Sequence, residues 1–220
     1  MRARSRCPLW LAVALLLAGA EASAQEFYEG TGHFYDFVSG NLTWTQAEAA
    51  AAAMSFGGQP GYLVTITSAG ENQFLVDTFG TGLPQSAWIG ANDDAVEGEW
   101  RWETGPEAGT QFWQGNQAGM TTPPFDYANW GTTEPNDFNN EDYAVFALGN
   151  LIASIPQGFW GDANVNGTGA TVVGYLVEFD PAPVSVPALT PSVSAGLVAA
   201  LAVLAFAVLR FRKHRQTLRS

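Results

Sequence analysis

The sequence predicts one α+β domain flanked by segments of other kinds. Three features carry that expectation. Two capped helical stretches lie close together near the start of the domain, several short apolar runs are bounded by turn residues, and one long stretch is rich in Gly, Asn, Asp, Pro and Thr. His33 to Val38 (H-F-Y-D-F-V) alternates as a strand does, and Ser39-Gly40-Asn41 supplies a turn after it. Thr43 is placed to cap a helix, Gln46 completes a capping box, and Ala47 to Met54 is nearly all alanine, the strongest helix former. Gly57-Gly58 is expected to end that helix. Tyr62 to Thr67 reads as a second strand. Ser68 with Glu71 opens a second helix, on which Phe74, Leu75 and Phe79 are apolar. Ser86 to Gly90 is a short buried strand, and Tyr143 to Leu148, Phe159-Trp160 and Val172 to Phe179 are closing strands. Between Gly90 and about Gly131 the chain reads as a polar loop with interspersed aromatic residues. A loop of that length in a compact domain implies a function or something that binds it into shape.

Residues 25–180 are long enough for one domain. Residues 1–24 read as an export signal: Arg2, Arg4 and Arg6, an apolar run from Leu9 to Leu17, then Ala22-Ser23-Ala24, with cleavage expected after Ala24. Residues 181–192 hold Pro181, Pro183, Pro187 and Pro191 and suit a semi-stiff stalk. Residues 193–209 are an apolar run of membrane length, and residues 210–220 form a basic tail expected on the cytoplasmic side, so the domain is expected to face outward. The order of Pro motif, short apolar run and basic cluster resembles the C-terminal sorting signals of bacterial envelope proteins. The tail is therefore expected either to anchor the chain or to be cleaved.

Residues 25–180 carry 20 of the chain's 21 acidic residues and a single Lys or Arg, Arg101, a formal charge near −19. Nucleic acid is thereby an implausible partner. Such self-repulsion favours bound cations, although an acidic surface suited to a salty habitat accounts for the composition equally well. The one cysteine, Cys7, lies in the signal, so the domain has no disulfide, no thiol nucleophile and no Cys-ligated zinc. Its one histidine, His33, makes a Ser-His-Asp triad or a multi-His metal site improbable.

One segment concentrates oxygen ligands: Glu134-Pro135-Asn136-Asp137, Glu141-Asp142, and Asp162 after Trp160. Calcium takes about six to eight oxygens from carboxylates, amides and carbonyls. A cis bond before Pro135 would put Glu134 and Asn136 on one side. A coordinated carboxylate can still accept a hydrogen bond, and an asparagine that binds calcium through oxygen can donate through its amide nitrogen. Two adjacent sugar hydroxyls could meet the ion and its ligands together.

These residues carry a resemblance. Across roughly residues 30–180 the chain resembles the C-type lectin-like domains in Thr43-Trp44 with Ala47, Tyr62-Leu-Val-Thr-Ile-Thr-Ser-Ala-Gly-Glu-Asn72, Trp88-Ile-Gly90, Glu97-Gly98-Glu-Trp100, Asn129-Trp130, Glu134-Pro-Asn136, Glu141-Asp142, Trp160-Gly-Asp162 and Tyr175-Leu-Val-Glu-Phe179. The resemblance implies two helices with short antiparallel sheets and a long calcium-binding loop region. It maps the principal calcium and sugar site onto Glu134, Asn136, Glu141 and Asp162, with mannose or glucose-type sugars implied by E-P-N. It maps an auxiliary calcium site onto Asp93, Glu97, Asp137 and Asp142, with Glu141 shared. Two departures stand out. Gly161 replaces the asparagine of the family's W-N-D, leaving Asn164, Asn166 or water as candidate substitutes. Tyr143 and Val177 stand where the family has disulfide cysteines, whose loss typically removes about 2–5 kcal/mol.

Trp44, Trp88, Trp100 and Trp160 are expected in the core, whereas Trp113 and Trp130, in the loop, are candidates for stacking on a sugar face. Three function classes follow. The first is calcium-dependent carbohydrate binding at the cell envelope. The second is a lectin-like scaffold that binds a protein or surface polymer without calcium-mediated sugar coordination, and Gly161 favours it. The third, a two-carboxylate glycosidase, needs a raised-pKa acid. A calcium-held carboxylate makes a poor one, and no enzyme activity is expected.

Overall fold

The computed structural model describes residues 25–150, 155–168 and 170–182. The expected signal, stalk, apolar run and basic tail lie outside these residues, apart from Pro181 and Ala182. Among the described residues no helix is long and apolar enough to cross a membrane.

The chain runs β1 (Glu26–Tyr28), β2 (His33–Ser39), α1 (Trp44–Ala52), β3 (Ser55–Phe56), β4 (Gln59–Leu63), α2 (Ala69–Phe79), β5 (Ser86–Asn92), β6 (Glu99–Trp102), β7 (Thr110–Gln114), β8 (Met120–Thr121), β9 (Tyr143–Ala147), β10 (Trp160–Ala163) and β11 (Val172–Phe179). Two helices on a mostly antiparallel sheet make the fold α+β, as the sequence predicts. The sheet runs β1-β2-β11-β5-β6-β7-β8. β4 also pairs with β11, and β9 joins β5 to β10. Only β11 with β5 is parallel, Tyr175 lying opposite Trp88.

Both helices start where the caps predict. Thr43 accepts from the Gln46 N–H, and Gln46 returns a bond to the Thr43 N–H. Ser68 accepts from the Glu71 N–H at 3.2 Å. α1 buries Trp44, Ala47 and Ala51, spaced along one face. It can close on β4 because Gly61 lies there: a Cβ at Gly61 would stand 2.8 Å from the Ala51 carbonyl. The helix ends earlier than the alanine run suggests, at Ala52, and Gly57-Gly58 serves a different purpose. Phe56 pairs with Gln59, and the two glycines between them, at φ 58° and 83°, form the tight hairpin turn of β3 and β4.

The expected strand Tyr62 to Thr67 is regular only to Leu63. Beyond it, the Thr65 N–H donates to Glu178 and the Thr67 N–H to Glu71, so carboxylates take the place of a neighbouring strand. The expected polar loop after Gly90 contains β6, β7 and β8, a meander whose Trp100, Trp102 and Phe112 point into the core. In that core Trp102 stacks on Phe112 with centroids 4.5 Å apart and meets Trp160 edge-on at 5.8 Å. Trp130 packs against Trp100, Phe112 and Trp160. It is therefore a core residue rather than a free stacking platform. Trp113, half-buried on β7, ties its indole N–H to the Gly115 carbonyl. Trp44 and Trp88 bond from their indoles to the Ile89 and Leu42 carbonyls, which satisfies the polar end of each buried ring.

With no disulfide in the domain, aromatic packing holds the meander. Trp102→Ala is expected to cost about 3–5 kcal/mol in urea unfolding. Thr43→Ala, which removes a cap, should cost about 1 kcal/mol.

Candidate metal and ligand site

Three strands deliver the site's carboxylates. β5 ends at Asn92 and presents Asp93, the segment 131–142 enters β9 through Glu141 and Asp142, and β10 carries Asp162 opposite Ala144 of β9. The Asp93 N–H donates to the Asp142 carbonyl at 3.1 Å, which locks the first two together. The incoming segment is pinned to β10 through Trp160, whose N–H donates to the Asn129 carbonyl and whose carbonyl accepts from Gly131.

The Glu134-Pro135 bond is cis, and Asn136 Nδ2 donates to Glu134 Oε2. Asp162 Oδ2 accepts the N–H groups of Asn136 and Asp137 at 2.8 and 2.7 Å. Asp162 Oδ1 is buried and has no hydrogen-bond partner. Asp137, Asn139 and Asn140 adopt left-handed conformations with φ from 52° to 64°. The chain turns back there, and Asp137 Oδ1 accepts the Glu141 N–H at 3.1 Å. Glu134, Asn136 and Asp162 thus meet directly, with Glu141 placed beside them through Asp137.

A second cluster adjoins the first. Asp93, Glu97 and Asp142 each offer a carboxylate oxygen within 4.8 Å of the others. Asp93 Oδ2 accepts the Gly98 N–H at 2.8 Å, while its Oδ1 is buried without a partner. The charge of Asp137 raises Glu97 and Asp142 in this cluster and Glu141 in the first.

Burial and mutual repulsion push these carboxyls up. Asp93 rises to about 8, through burial first and then the charges of Glu97, Asp142 and Asp162, against the Gly98 N–H. Glu134 rises to about 8 through burial and its contact with Asp162, and Glu141 to about 7 through burial and the charge of Asp162. Glu97 and Asp142 move the same way. Two buried carboxylate oxygens without donors, inside a ring of like charges, are unfavourable unless a cation joins them. The donor set is all oxygen, which suits a hard cation, and the residues fit calcium.

Position 161 separates the two clusters' prospects. Gly161 offers no side-chain oxygen. A Cβ there would stand 2.6 Å from Ile155 Cδ1 and 3.8 Å from Glu134 Cγ, so Ile155 fills the room a ligand at 161 would need. Asn164 is no substitute, because its Oδ1 accepts the N–H groups of Asn166 and Thr168 and shapes its own turn. Ile155 escapes sequence reading because it reaches the site only through space. The paired N–H groups that hold Asp162 were equally hidden, being backbone.

These features define a lectin-type domain with an acidic, oxygen-lined loop. Residues 40–166 match the family described as the lectin C-type domain, and the chain belongs to that family. Halomucin of Haloquadratum walsbyi is 43% identical over 114 residues, which are 52% of this chain and 1% of halomucin. Lectin BRA-3 of Megabalanus rosa is 26% identical over 141 residues, 64% of this chain and 70% of that protein. The alpha-N-acetylgalactosamine-specific lectin of Patiria pectinifera is 32% identical over 121 residues, 54% of this chain and 60% of that lectin. The chain thus spans well under two thirds of several curated relatives it matches, halomucin above all. Among solved structures, an EPNH mutant of CEL-I superposes with a TM-score of 0.51 at 24% identity, covering 70% of this chain and 93% of that one, a likeness of fold.

Raised carboxyl pKa values set the sign of pH dependence. The folded, metal-free state binds protons more tightly than the unfolded chain, so its stability is fullest below the ordinary carboxylate range and falls as pH rises through about 7 to 8. Thermal unfolding of chelator-treated protein should show the melting temperature falling from about pH 5 to about pH 8, values set by ordinary and raised carboxyl pKa. Asp93→Asn should flatten that slope.

Proposed function

We propose that this domain binds carbohydrate through calcium held at Glu134, Asn136, Glu141 and Asp162, with a second calcium at Asp93, Glu97, Asp137 and Asp142. The observation that carries the proposal is the buried, unpartnered Oδ1 of Asp162 beside the Glu134–Asn136 pair. When bound, calcium supplies two coordination positions for neighbouring sugar hydroxyls. Around it the chain's own groups divide the work. Glu134 accepts from a hydroxyl. Asn136 would offer the ion its amide oxygen, which here accepts the Phe138 N–H, and would offer the sugar its NH₂, which here donates to Glu134. Asp162 steadies the loop through the Asn136 and Asp137 amides, and the auxiliary cluster fixes Glu141 from behind. Glu134-Pro135-Asn136 supports a preference for mannose or glucose-type sugars. Display outside the cell, with the apolar run 193–209 as anchor or sorting segment, is part of the same proposal.

A second reading has its own support. Gly161 contributes no ligand and Ile155 occupies the space, so the principal site lacks the side chain that the family's W-N-D pattern would supply. A scaffold that uses calcium to shape its loop and binds a protein or surface polymer beside it would need nothing from position 161.

Calorimetric titration of calcium into chelator-stripped protein distinguishes the two. Two saturable sites are expected, with dissociation constants of about 10⁻⁴ to 10⁻³ M, as in extracellular modules. Asn136→Ala should remove one site and Asp93→Asn the other, and mannose-agarose should retain wild type but release it on chelation. Two calcium sites without sugar retention would favour the scaffold, and no binding at millimolar calcium would end the calcium-lectin reading.

A further inference from the structure

A second group of buried carboxylates lies outside the ligand site and is compensated differently. Glu178 on β11 and Glu71 on α2 are 2% and 1% exposed. Tyr35 on β2 stands between them, its hydroxyl 2.7 Å from Glu71 Oε1 and 3.2 Å from Glu178 Oε1. One phenol carries one proton, so it can donate to only one of the two at a time. Thr31 Oγ1, 3.0 Å away, can donate to the phenol oxygen. The outer oxygens are met by backbone: Glu178 Oε2 takes the Thr65 N–H at 3.1 Å, and Glu71 Oε2 the Thr67 N–H at 2.8 Å. The remaining partner of Glu178 Oε1 is His33 Nδ1, at 2.5 Å.

His33 is the only imidazole among the described residues, and Arg101, the only other cationic side chain there, is taken up by Glu99 and the Gly109 carbonyl. The groups around the His33 cluster are all acidic or phenolic. Asp180, just past β11, lies 3.8 Å from His33 Nε2 and accepts from the Tyr62 hydroxyl of β4. Glu107, between β6 and β7, accepts from Thr65 Oγ1. Tyr28 of β1 is the register partner of His33. The His33 side chain is 22% exposed, so its proton can exchange with water while Glu178 remains sealed.

We propose that His33, Glu178, Tyr35 and Glu71 form a proton-operated latch that clamps the entering strand β2 to the leaving strand β11, closed while His33 is an imidazolium and loosened when it is neutral. The elements joined carry the described chain ends: Phe34 pairs with Phe179, and β1 pairs in the sheet with β2 alone while Tyr28 stacks on Phe74 of α2. When the proton leaves, two sealed carboxylates lose their only cation. The hydrogen bond from Glu178, then the charges of Glu178, Asp180 and Glu71, raise the His33 pKa against burial. A raised imidazole stabilises the closed state fully below its ordinary value of about 6.5 and stops doing so as pH rises through the folded-state value. Glu71, pushed up to about 7 by burial and then by the charge of Glu178, works in the same direction.

Hydrogen exchange read by mass spectrometry on the full-length protein at constant calcium tests this, with intrinsic rates corrected for pH. Between about pH 6 and pH 9, opening of 26–39 and 172–180 should rise about tenfold per unit between the ordinary and folded-state imidazole values. In His33→Gln these segments should open rapidly at both pH values. In Glu178→Gln, where no imidazolium is needed, the pH step should shrink to the smaller part that the burial of Glu71 contributes. An NMR titration of wild type, with His33 told from His214 by the His214→Gln spectrum, should place His33 above the ordinary value. The latch is overturned if His33 titrates at or below that value, or if wild type and Glu178→Gln share one pH dependence. Both outcomes remain readable should His33→Gln fail to fold.

Discussion

Trp160 joins the parts of this domain that have least local order. Its ring lies among Trp102, Phe112, Tyr127 and Trp130, its indole N–H reaches Asn72 on α2, and its backbone bonds on both sides to the segment 129–131. Two residues on, the same strand presents Asp162, whose carboxylate gathers the Asn136 and Asp137 amides. The ligand loop is thus referenced to the aromatic core through one short strand. A disulfide is unnecessary for that purpose, because large apolar faces in mutual contact and the Trp160 indole bond to Asn72 supply the rigidity that a crosslink would.

The second constraint is charge. An acidic domain with Arg101 as its only Lys or Arg cannot bury carboxylates in the usual ion pairs, and it meets the difficulty in two ways. Around Asp93 and Asp162 the carboxylates converge with oxygens left unpartnered, an arrangement that suits a cation from solution. Around Glu178 the compensation comes from phenol, threonine amides and one imidazole. On the two proposals above, the first arrangement answers to the ions in the medium and the second to its protons.

Much of this was legible in the sequence, for physical reasons. Capping boxes, glycine pairs and the E-P-N turn are local signals, and each marks a real feature, although Gly57-Gly58 proved to make a hairpin rather than end a helix. Glu134 and Asn136 meet across Pro135, and Asp162 joins them from β10 through the Asn136 and Asp137 amides. What stayed hidden was set by long-range contact. β6 to β8 read as loop because their strands are short and separated by glycines with positive φ. Ile155 reaches position 161 only in three dimensions. Glu178 did leave a trace, as a lone acid within the apolar run Val172 to Phe179, but its partners lie far away, His33 among them, 145 residues distant.

The position of β11 has a consequence for how the domain comes into being. It is the last strand made, yet it lies beside β2, β4 and β5, so three earlier strands wait for a neighbour that the ribosome has not yet produced. Pairing β11 with β2, Phe179 against Phe34, closes a loop of well over a hundred residues, the kind of distant pairing that slows folding. Until Phe179 has emerged, β2 and β4 present open edges to whatever is nearby. The described sheet can therefore be completed only once β11 is available, late in the synthesis of the domain.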